Sequence, residues 1–445
     1  MIELKLRNSS TIRTMRIVKT NCNFEREPLI APLGFKGGYL SELWQSVVLL
    51  GDGKGNEGTG LGTQSTLWSD SQVFTSNSES AGNGMMFLAT SYALERVKEI
   101  EWDTPFDLLE KILPDVYEYG KKITNNPHLR LTFALNSLVA VDNAAWVIYC
   151  KAKGITNFDD MLPTDIKPAL NCKHDKLANI PLMSYNVPLD KIVEVVKQGY
   201  FFLKIKIGSD PDKDGNLDKM LDWDKNRLKE IHEAVKNIET PYINNGKVPY
   251  YFDANGRYDS KDRLMRFIDY AKKLGALDRI ILMEEPFPEE FQEDVSDIPV
   301  RVAADESTHS DKDALVRIQQ GYTAIALKPI AKTMSMSLKI ARLAHEKNIP
   351  CFCADLTVNP ILVDWNKNVA ARLPALPGMK IGVLESNGYQ NYKNWQQMKN
   401  NHSMSGADWI EAKDGIFNLN QDFYSQSGGI FLHSKYYKEL IGIGK

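Results

Sequence analysis

The sequence predicts an α/β protein in which a parallel sheet closed into a barrel forms the C-terminal half and an α+β lobe precedes it. Two observations carry the barrel. From about residue 180 short apolar runs recur: IPLMSYNV, FFLKIKIG, VPYYFDAN, RIILMEEP, VRVAADES, AIALKPI, IPCFCADL and MKIGVLES. Between most of them lie stretches such as KDRLMRFIDYAKKLGA, DALVRIQQG and SLKIARLAHEKN, with apolar residues at the three-and-four spacing of one helix face. Seven or eight such strand-then-helix units close a parallel sheet on itself. An open doubly wound sheet is the alternative, but no G-x-G-x-x-G follows its first strand to hold a dinucleotide.

The preceding lobe mixes both periods. MRIVKT and LWQSVVLLGD read as strands, and APLGFKGGY between them as a glycine-bearing loop able to move. GDGKGNEGTGLG reads as a tight turn with a return strand. From about 85 to 160, FLATSYALERVKEI, PFDLLEKILPDVYEYGKKI and LTFALNSLVAVDNAAWVIYCKAKG take the helical period.

Composition removes several function classes. A net charge of -3 without a basic block gives no case for nucleic acid or an anionic membrane surface. The start, MIELKLRNSSTIRTMRIVKT, lacks the apolar core of a signal peptide, and no run of apolar residues reaches membrane-helix length. Five scattered cysteines, an odd number, suit a reducing compartment, so a cytoplasmic protein is expected. Cys351 and Cys353 have no second pair to complete a zinc site, and none of the seven histidines forms H-E-x-x-H.

The strand ends hold the chemistry. In FFLKIKIG, Lys204 and Lys206 share one face and Leu203, Ile205 and Ile207 the other. A solvent-facing pair is the ordinary reading. The other strand ends oppose it: Asp253 with Asn255, Glu284 with Glu285, Asp305 with Glu306, then Lys328, all at the mouth where barrels build active sites. Asp253, Glu284 and Asp305 would meet closely, and like charges that near do not all stay ionised without a cation. One hard divalent ion per site on oxygen ligands, Mg²⁺ or alternatively Mn²⁺, answers that need. Lysines from strands two and six stand nearly opposite. Desolvation and a nearby cation lower a lysine pKa, so one amine can act as base and the other as acid toward a carbon beside a carboxylate. Asn255, Glu285 and Glu306 read either as groups orienting these residues or as helix caps. Asp355 and Glu385, near the ends of strands seven and eight, either begin a helix or bind a substrate ammonium or hydroxyl.

K-I-K at 204 to 206, D-A-N at 253 to 255, E-E-P at 284 to 286, A-D-E-S at 304 to 307 and L-K-P at 327 to 329 resemble the enolase superfamily, in its mandelate-racemase and muconate-lactonizing branch. The tail EAKDGIFNLNQDFYSQSGGIF is similar to that of the family. The resemblance implies a modified TIM barrel of (β/α)7β type with an N-terminal α+β capping domain. The domains would be 1–165, 166–400 for the barrel, and 401–445 packing back on the cap, with APLGFKGGY as a lid. It implies Mg²⁺ on Asp253, Glu284 and Asp305, acid/base roles for Lys206 and Lys328, and Lys204 supporting the substrate carboxylate. A lysine on both strands resembles the subgroup of cycloisomerases, o-succinylbenzoate synthases, N-acylamino-acid racemases and dipeptide epimerases. Two departures stand out: the seventh strand ends C-F-C-A-D without histidine, and KPIAKTMSMS replaces the Gly-Gly many relatives carry after the sixth-strand lysine.

The expected function is Mg²⁺-dependent removal of the α-proton of a small-molecule carboxylate through a metal-stabilised enediolate. A racemase or epimerase of dipeptides or N-acyl amino acids, acting as a homo-oligomer, leads. A lyase on the same site is the alternative, and a non-catalytic carboxylate-binding protein the reading from another class.

Overall fold

The computed structural model describes residues 14–35 and 38–442. Residues 1–13 of the stretch read for a leader, and residues 36–37 of APLGFKGGY, lie outside the described residues. Strands Lys19–Phe35 and Gly38–Gly51 pair as one long antiparallel hairpin, to which Glu57–Gln64 adds a third strand. The expected loop is therefore mostly strand: Leu33 pairs with Leu40 and Gly34 with Tyr39. Cross-strand pairing overrides the freedom of its glycines. The irregularity falls earlier, between Pro28 and Leu33, where proline cannot donate to the ladder.

Helices Glu79–Glu99, Pro105–Thr124 and Leu131–Lys153 pack on this sheet. Ser78 and Thr104 cap the first two by accepting from Ala81 N and Asp107 N, and Gly154 ends the third at φ 70°. The third strand carries Gly58, Gly60 and Gly62 on one face, and this is what lets the last helix approach. A Cβ on Gly60 would stand 2.0 Å from the Ala140 carbonyl oxygen, and one on Gly58 2.2 Å from that of Ala144.

That helix corrects an expectation. By length and composition Leu131–Lys153 is apolar enough to cross a membrane, yet 94% of the qualifying window is buried inside the protein. Asn136, Asp142 and Asn143 interrupt the apolar run without lowering its average enough. Each has a partner: Asn136 Nδ2 donates to Thr63 O at 2.9 Å and Asn143 Nδ2 to Leu61 O at 3.0 Å. Asp142 accepts from Ser335 N at 3.0 Å and Ser335 Oγ at 2.5 Å, which fastens the lobe to the barrel.

The first barrel strand lies earlier than IPLMSYNV suggests: it is Lys176–Ile180, continued past Pro181 as Leu182–Met183. The SYNV tail leaves the sheet because Pro188 opens a helix, Leu189–Lys197. Strands two to eight are Leu203–Lys206, Tyr250–Asp253, Ile280–Glu284, Val302–Ala304, Ala324–Leu327, Cys351–Cys353 and Gly382–Glu385. Neighbours pair in parallel, and strand one bonds strand eight on one side and strand two on the other. The ring is closed. One connection departs from the repeat: residues 285–301 hold no helix, since Pro286, Pro288 and Pro299 break any helical ladder there. Ile180, Phe202, Tyr251, Leu282, Phe352 and Val383 fill the interior, while Leu203, Ile205 and Ile207 share a second core with the surrounding helices.

Near the C-terminus, Ile416–Asn418 adds an antiparallel strand against Lys176–Ala178. The chain then returns to the hairpin, where Asn21 and Asn23 donate to the carbonyls of Ile441 and Leu440 at 2.7 and 2.8 Å.

Gly60→Ala is expected to destabilise the protein by about 3 kcal/mol, because the close backbone contact cannot yield without shifting the helix. Gly84→Ala, in open space on helix Glu79–Glu99, is expected to gain up to about 1 kcal/mol. Urea unfolding of both variants checks this; an undisturbed midpoint for Gly60→Ala would show that the contact is not tight.

Candidate active site

Strand two turns its lysines inward. Lys204 and Lys206 are 3% and 8% exposed, so the solvent-facing reading fails. Lys204 Nζ stands 3.0 Å from Asp253 Oδ2, 3.1 Å from Glu284 Oε2 and 3.0 Å from Glu385 Oε2. Lys206 Nζ donates to Asp253 Oδ2 at 2.6 Å and Asn255 Oδ1 at 2.5 Å.

Besides the expected Asp253, Glu284 and Asp305, Glu306 enters an acidic group that converges. Glu284, Asp305 and Glu306 each offer a carboxylate oxygen within 4.8 Å of the others. Asp253, whose Oδ2 is shared by Lys204 and Lys206, stands outside that group. Behind the three, Asn255 Nδ2 donates to Glu306 Oε1 at 2.9 Å, and Glu285 Oε2 accepts from Asp305 N at 2.7 Å and Ser307 Oγ at 3.1 Å. The helices after strands three and five are capped by Ser260 and Ser310 instead, so these side chains brace the strand ends. Asn255 and Glu285 bend the chain there with φ of 44° and 39°.

Lys328 follows strand six and pairs with Asp305 Oδ2. Trp68, from the lobe, lays its ring 4.6 Å from that amine. A second lysine was not foreseen: fully buried Lys332 donates to Asp305 O at 2.5 Å and to Asp305 Oδ1 at 3.1 Å. Its signal was the K-P-I-A-K spacing, one turn of the short helix Pro329–Lys332. Next comes Thr333 at φ 72°, ψ 152°, a conformation glycine takes freely and threonine holds at a cost of about 1–3 kcal/mol. It falls in the KPIAKTMSMS stretch that departs from the Gly-Gly pattern.

Strands seven and eight supply an acidic wall. Asp355 Oδ2 accepts from Asn387 N at 2.8 Å and Glu385 Oε2 from Asp355 N at 3.0 Å. Asn359 caps the helix after strand seven, so Asp355 is not a cap. A pocket of about 560 Å³, part of it open solvent, joins Lys204, Lys206 and Lys328 to Asp355 and Glu385, roofed by Leu33, Leu40, Leu43 and Trp68 of the lobe.

Residues 189–404 match the family model for the enolase C-terminal domain-like fold. That stretch, just under half of the chain, is similar to the C-terminal domain of the enolase superfamily. In fold it is similar to a dipeptide epimerase from Enterococcus faecalis V583 complexed with Mg and the dipeptide L-Leu-L-Tyr. That match has 19% identity and a TM-score of 0.63, over 91% of this chain and 98% of that one. A dipeptide epimerase from Cytophaga hutchinsonii, complexed with Mg and D-Ala-L-Val, matches at 17% identity and a TM-score of 0.60, over 85% and 89%. A mandelate racemase/muconate lactonizing protein from Herpetosiphon aurantiacus matches at 14% and 0.60, over 91% and 96%. Among curated proteins no sequence matches the chain.

Like this superfamily's members, which bind Mg²⁺, the chain has a buried acidic cluster able to hold a metal. Charge balance tests the fit. Asp253, Glu284, Glu285, Asp305, Glu306, Asp355 and Glu385 are buried beside Lys204, Lys206, Lys328 and Lys332, so carboxyls outnumber amines. Burial raises Asp253 and Asp305, but the lysines outweigh it and hold both below the usual carboxylate range. Glu284 goes the other way: burial, with Asp305 and Glu385 adding to it, outweighs Lys204 and pushes it up. Positive charge is short at Glu284, and oxygen donors in that deficit fit a hard divalent cation.

The carboxylates beside the lysines set the direction of their shifts. Burial lowers Lys328, but Asp305 outweighs it and holds the amine above its ordinary value; Lys204 is held well above by Asp253, Glu284 and Glu385. Direct pairing wins over desolvation at both. At Lys332 burial prevails and lowers the amine.

Burial, with Glu385 adding, outweighs the backbone N–H groups around Asp355 and pushes its carboxyl up to about 7. The unfolded chain releases that proton near 3.9. Between about pH 4 and 7 the folded state therefore holds the extra proton, and stability falls as pH rises through that window, by up to about 4 kcal/mol from this group. Asp355→Asn is expected to lose less stability than wild type between pH 5 and pH 8 in urea titrations. Parallel losses in the two proteins would contradict the assignment.

Proposed function

We propose that the chain is an isomerase that removes the α-proton of a carboxylate substrate and returns it, a racemase or epimerase of dipeptides or N-acyl amino acids. In this reading residues 166–400 perform the chemistry and 1–165 cover it. The observation that carries it is the pair of buried amines, Lys206 from strand two and Lys328 after strand six, on opposite sides of one acidic pocket. Each can serve one face of the same carbon.

Glu284, Asp305 and Glu306 would hold Mg²⁺, or Mn²⁺, with Asp253 adjacent through the shared Lys204. When bound, the cation supplies positive charge at the substrate carboxylate, where negative charge grows as the α-proton leaves. Lys204 Nζ, between Asp253, Glu284 and Glu385, supports that carboxylate. Lys206 Nζ takes the α-proton of one stereoisomer and Lys328 Nζ delivers one to the opposite face, and the roles exchange for the other. For Lys328 to accept a proton it must part from Asp305. Lys332, on the other oxygen of Asp305, keeps that carboxylate compensated meanwhile. Asp355 and Glu385 favour a substrate with an ammonium or N–H group, and the dipeptides in two fold relatives support that class.

Positioned acid/base groups contribute roughly 10²- to 10⁴-fold. Incubating the protein with Mg²⁺ in D₂O against dipeptides, N-acyl amino acids and acid sugars is expected to add one mass unit to at least one dipeptide or N-acyl amino acid. Lys206→Ala and Lys328→Ala are each expected to lower interconversion of its stereoisomers at least 100-fold. Loss of water from a substrate would assign a lyase instead, and full turnover by either variant would remove the two-base mechanism.

A further inference from the structure

Away from the acidic cluster, a line of buried hydrogen bonds runs from the sheet of the lobe to the acidic wall of the pocket. Thr63 Oγ1 donates to Gln45 Oε1 at 2.7 Å, and Gln45 Nε2 donates to Tyr392 Oη at 2.9 Å. Tyr392 Oη donates to the Thr357 carbonyl at 2.5 Å, Thr357 Oγ1 to Asn387 Oδ1 at 2.7 Å, and Asn387 N to Asp355 Oδ2 at 2.8 Å. Every donor points toward the carboxylate. All six residues are buried.

Tyr392 is the joint. Its ring packs with Leu40 and Leu43, which line the pocket, and its hydroxyl meets the lobe on one side and the barrel on the other. Thr357 has φ 58°, a left-handed backbone that a β-branched residue rarely adopts. Two bonds hold it there, one on its carbonyl from Tyr392 and one from its own hydroxyl to Asn387. A segment so constrained fixes where Asn387 stands, and Asn387 fixes the Asp355 carboxylate.

We infer that Tyr392 is a positioning residue for substrate recognition: through Thr357 and Asn387 it sets the placement of Asp355, so the sheet of the lobe governs the pocket's acidic wall without touching substrate. The inference rests on the reading of Asp355 as a substrate-binding residue. It adds Gln45 and Tyr392, neither on the pocket's catalytic side, to the determinants of substrate choice.

Tyr392→Phe keeps the ring and removes the hydroxyl. Amide hydrogen exchange on the full chain, without ligand, is expected to speed at least 10-fold in segments 355–359 and 386–388 while segment 303–308 stays unchanged. Gln45→Met is expected to give the same pattern at smaller amplitude. Unchanged exchange at both segments in both variants overturns the inference, as does faster exchange across the whole barrel. With L-Leu-L-Tyr and D-Ala-L-Val as probes in D₂O, Tyr392→Phe is expected to raise KM at least fivefold with kcat within twofold of wild type. A fall in kcat at constant KM would overturn the recognition role. If wild type exchanges neither dipeptide, it is the proposed substrate class that fails on these probes, and amide exchange alone decides whether the hydrogen-bond line fixes the wall.

Discussion

The constraint on which this molecule turns is the burial of many charges in one place. Removing an amine or carboxylate from water costs several kcal/mol unless an opposite charge meets it in good geometry. Here the strands supply that geometry. Register sets Lys206 beside Asp253 and Asp253 beside Glu284, so three consecutive strand ends present cation, anion, anion at one level. A slip of one residue would turn each of these side chains to the helix layer. The apolar alternation of the same strands, with Leu203, Ile205 and Ile207 committed to the outer core, forbids that slip. Hydrophobic packing outside the barrel thus enforces the electrostatics inside it.

The lobe completes what the barrel leaves open. Its hairpin and Trp68 roof the pocket, and the bond from Asp142 to Ser335 fixes the last helix of the lobe to the helix that follows Lys332. That helix can lie close to its own sheet only because one face of the third strand is glycine. The small-residue contact between Gly60 and Ala140 is therefore part of how the roof is held, though it stands far from the chemistry in sequence.

Much of this was legible because it is periodic. The three lobe helices, the strand-and-helix repeat and the polar residues at strand ends all follow from spacing of apolar residues two or three-and-four apart. What stayed hidden depends on pairs distant in sequence. The APLGFKGGY stretch looks mobile by composition, yet among its described residues Leu33 and Gly34 pair across strands with Leu40 and Tyr39. Leu131–Lys153 is apolar enough on average for a membrane-type helix, and its burial inside the protein, which depends on distant partners, marks it as a core helix. The convergence of Glu306 with Glu284 and Asp305, and Lys332 beneath Asp305, could not be read from strand order, since each depends on how far a side chain reaches.

The lysine pKa values show where the balance of forces reverses a simple expectation. Desolvation alone would lower every buried amine, yet Lys328 is held high because Asp305 touches it, and a proton so held is a poor starting point for a base. The resolution lies in Asp305 having two oxygens and two lysines. Lys332 binds one oxygen and the backbone carbonyl of the same residue, so on the proposed reading Asp305 would stay compensated when Lys328 turned toward substrate. Whatever positive charge then engages the freed oxygen of Asp305 weakens its hold on the Lys328 proton and lowers that amine toward a useful range. The acidic excess of the pocket sets the demand for that charge, and on the proposed reading the base role of Lys328 would follow from meeting it.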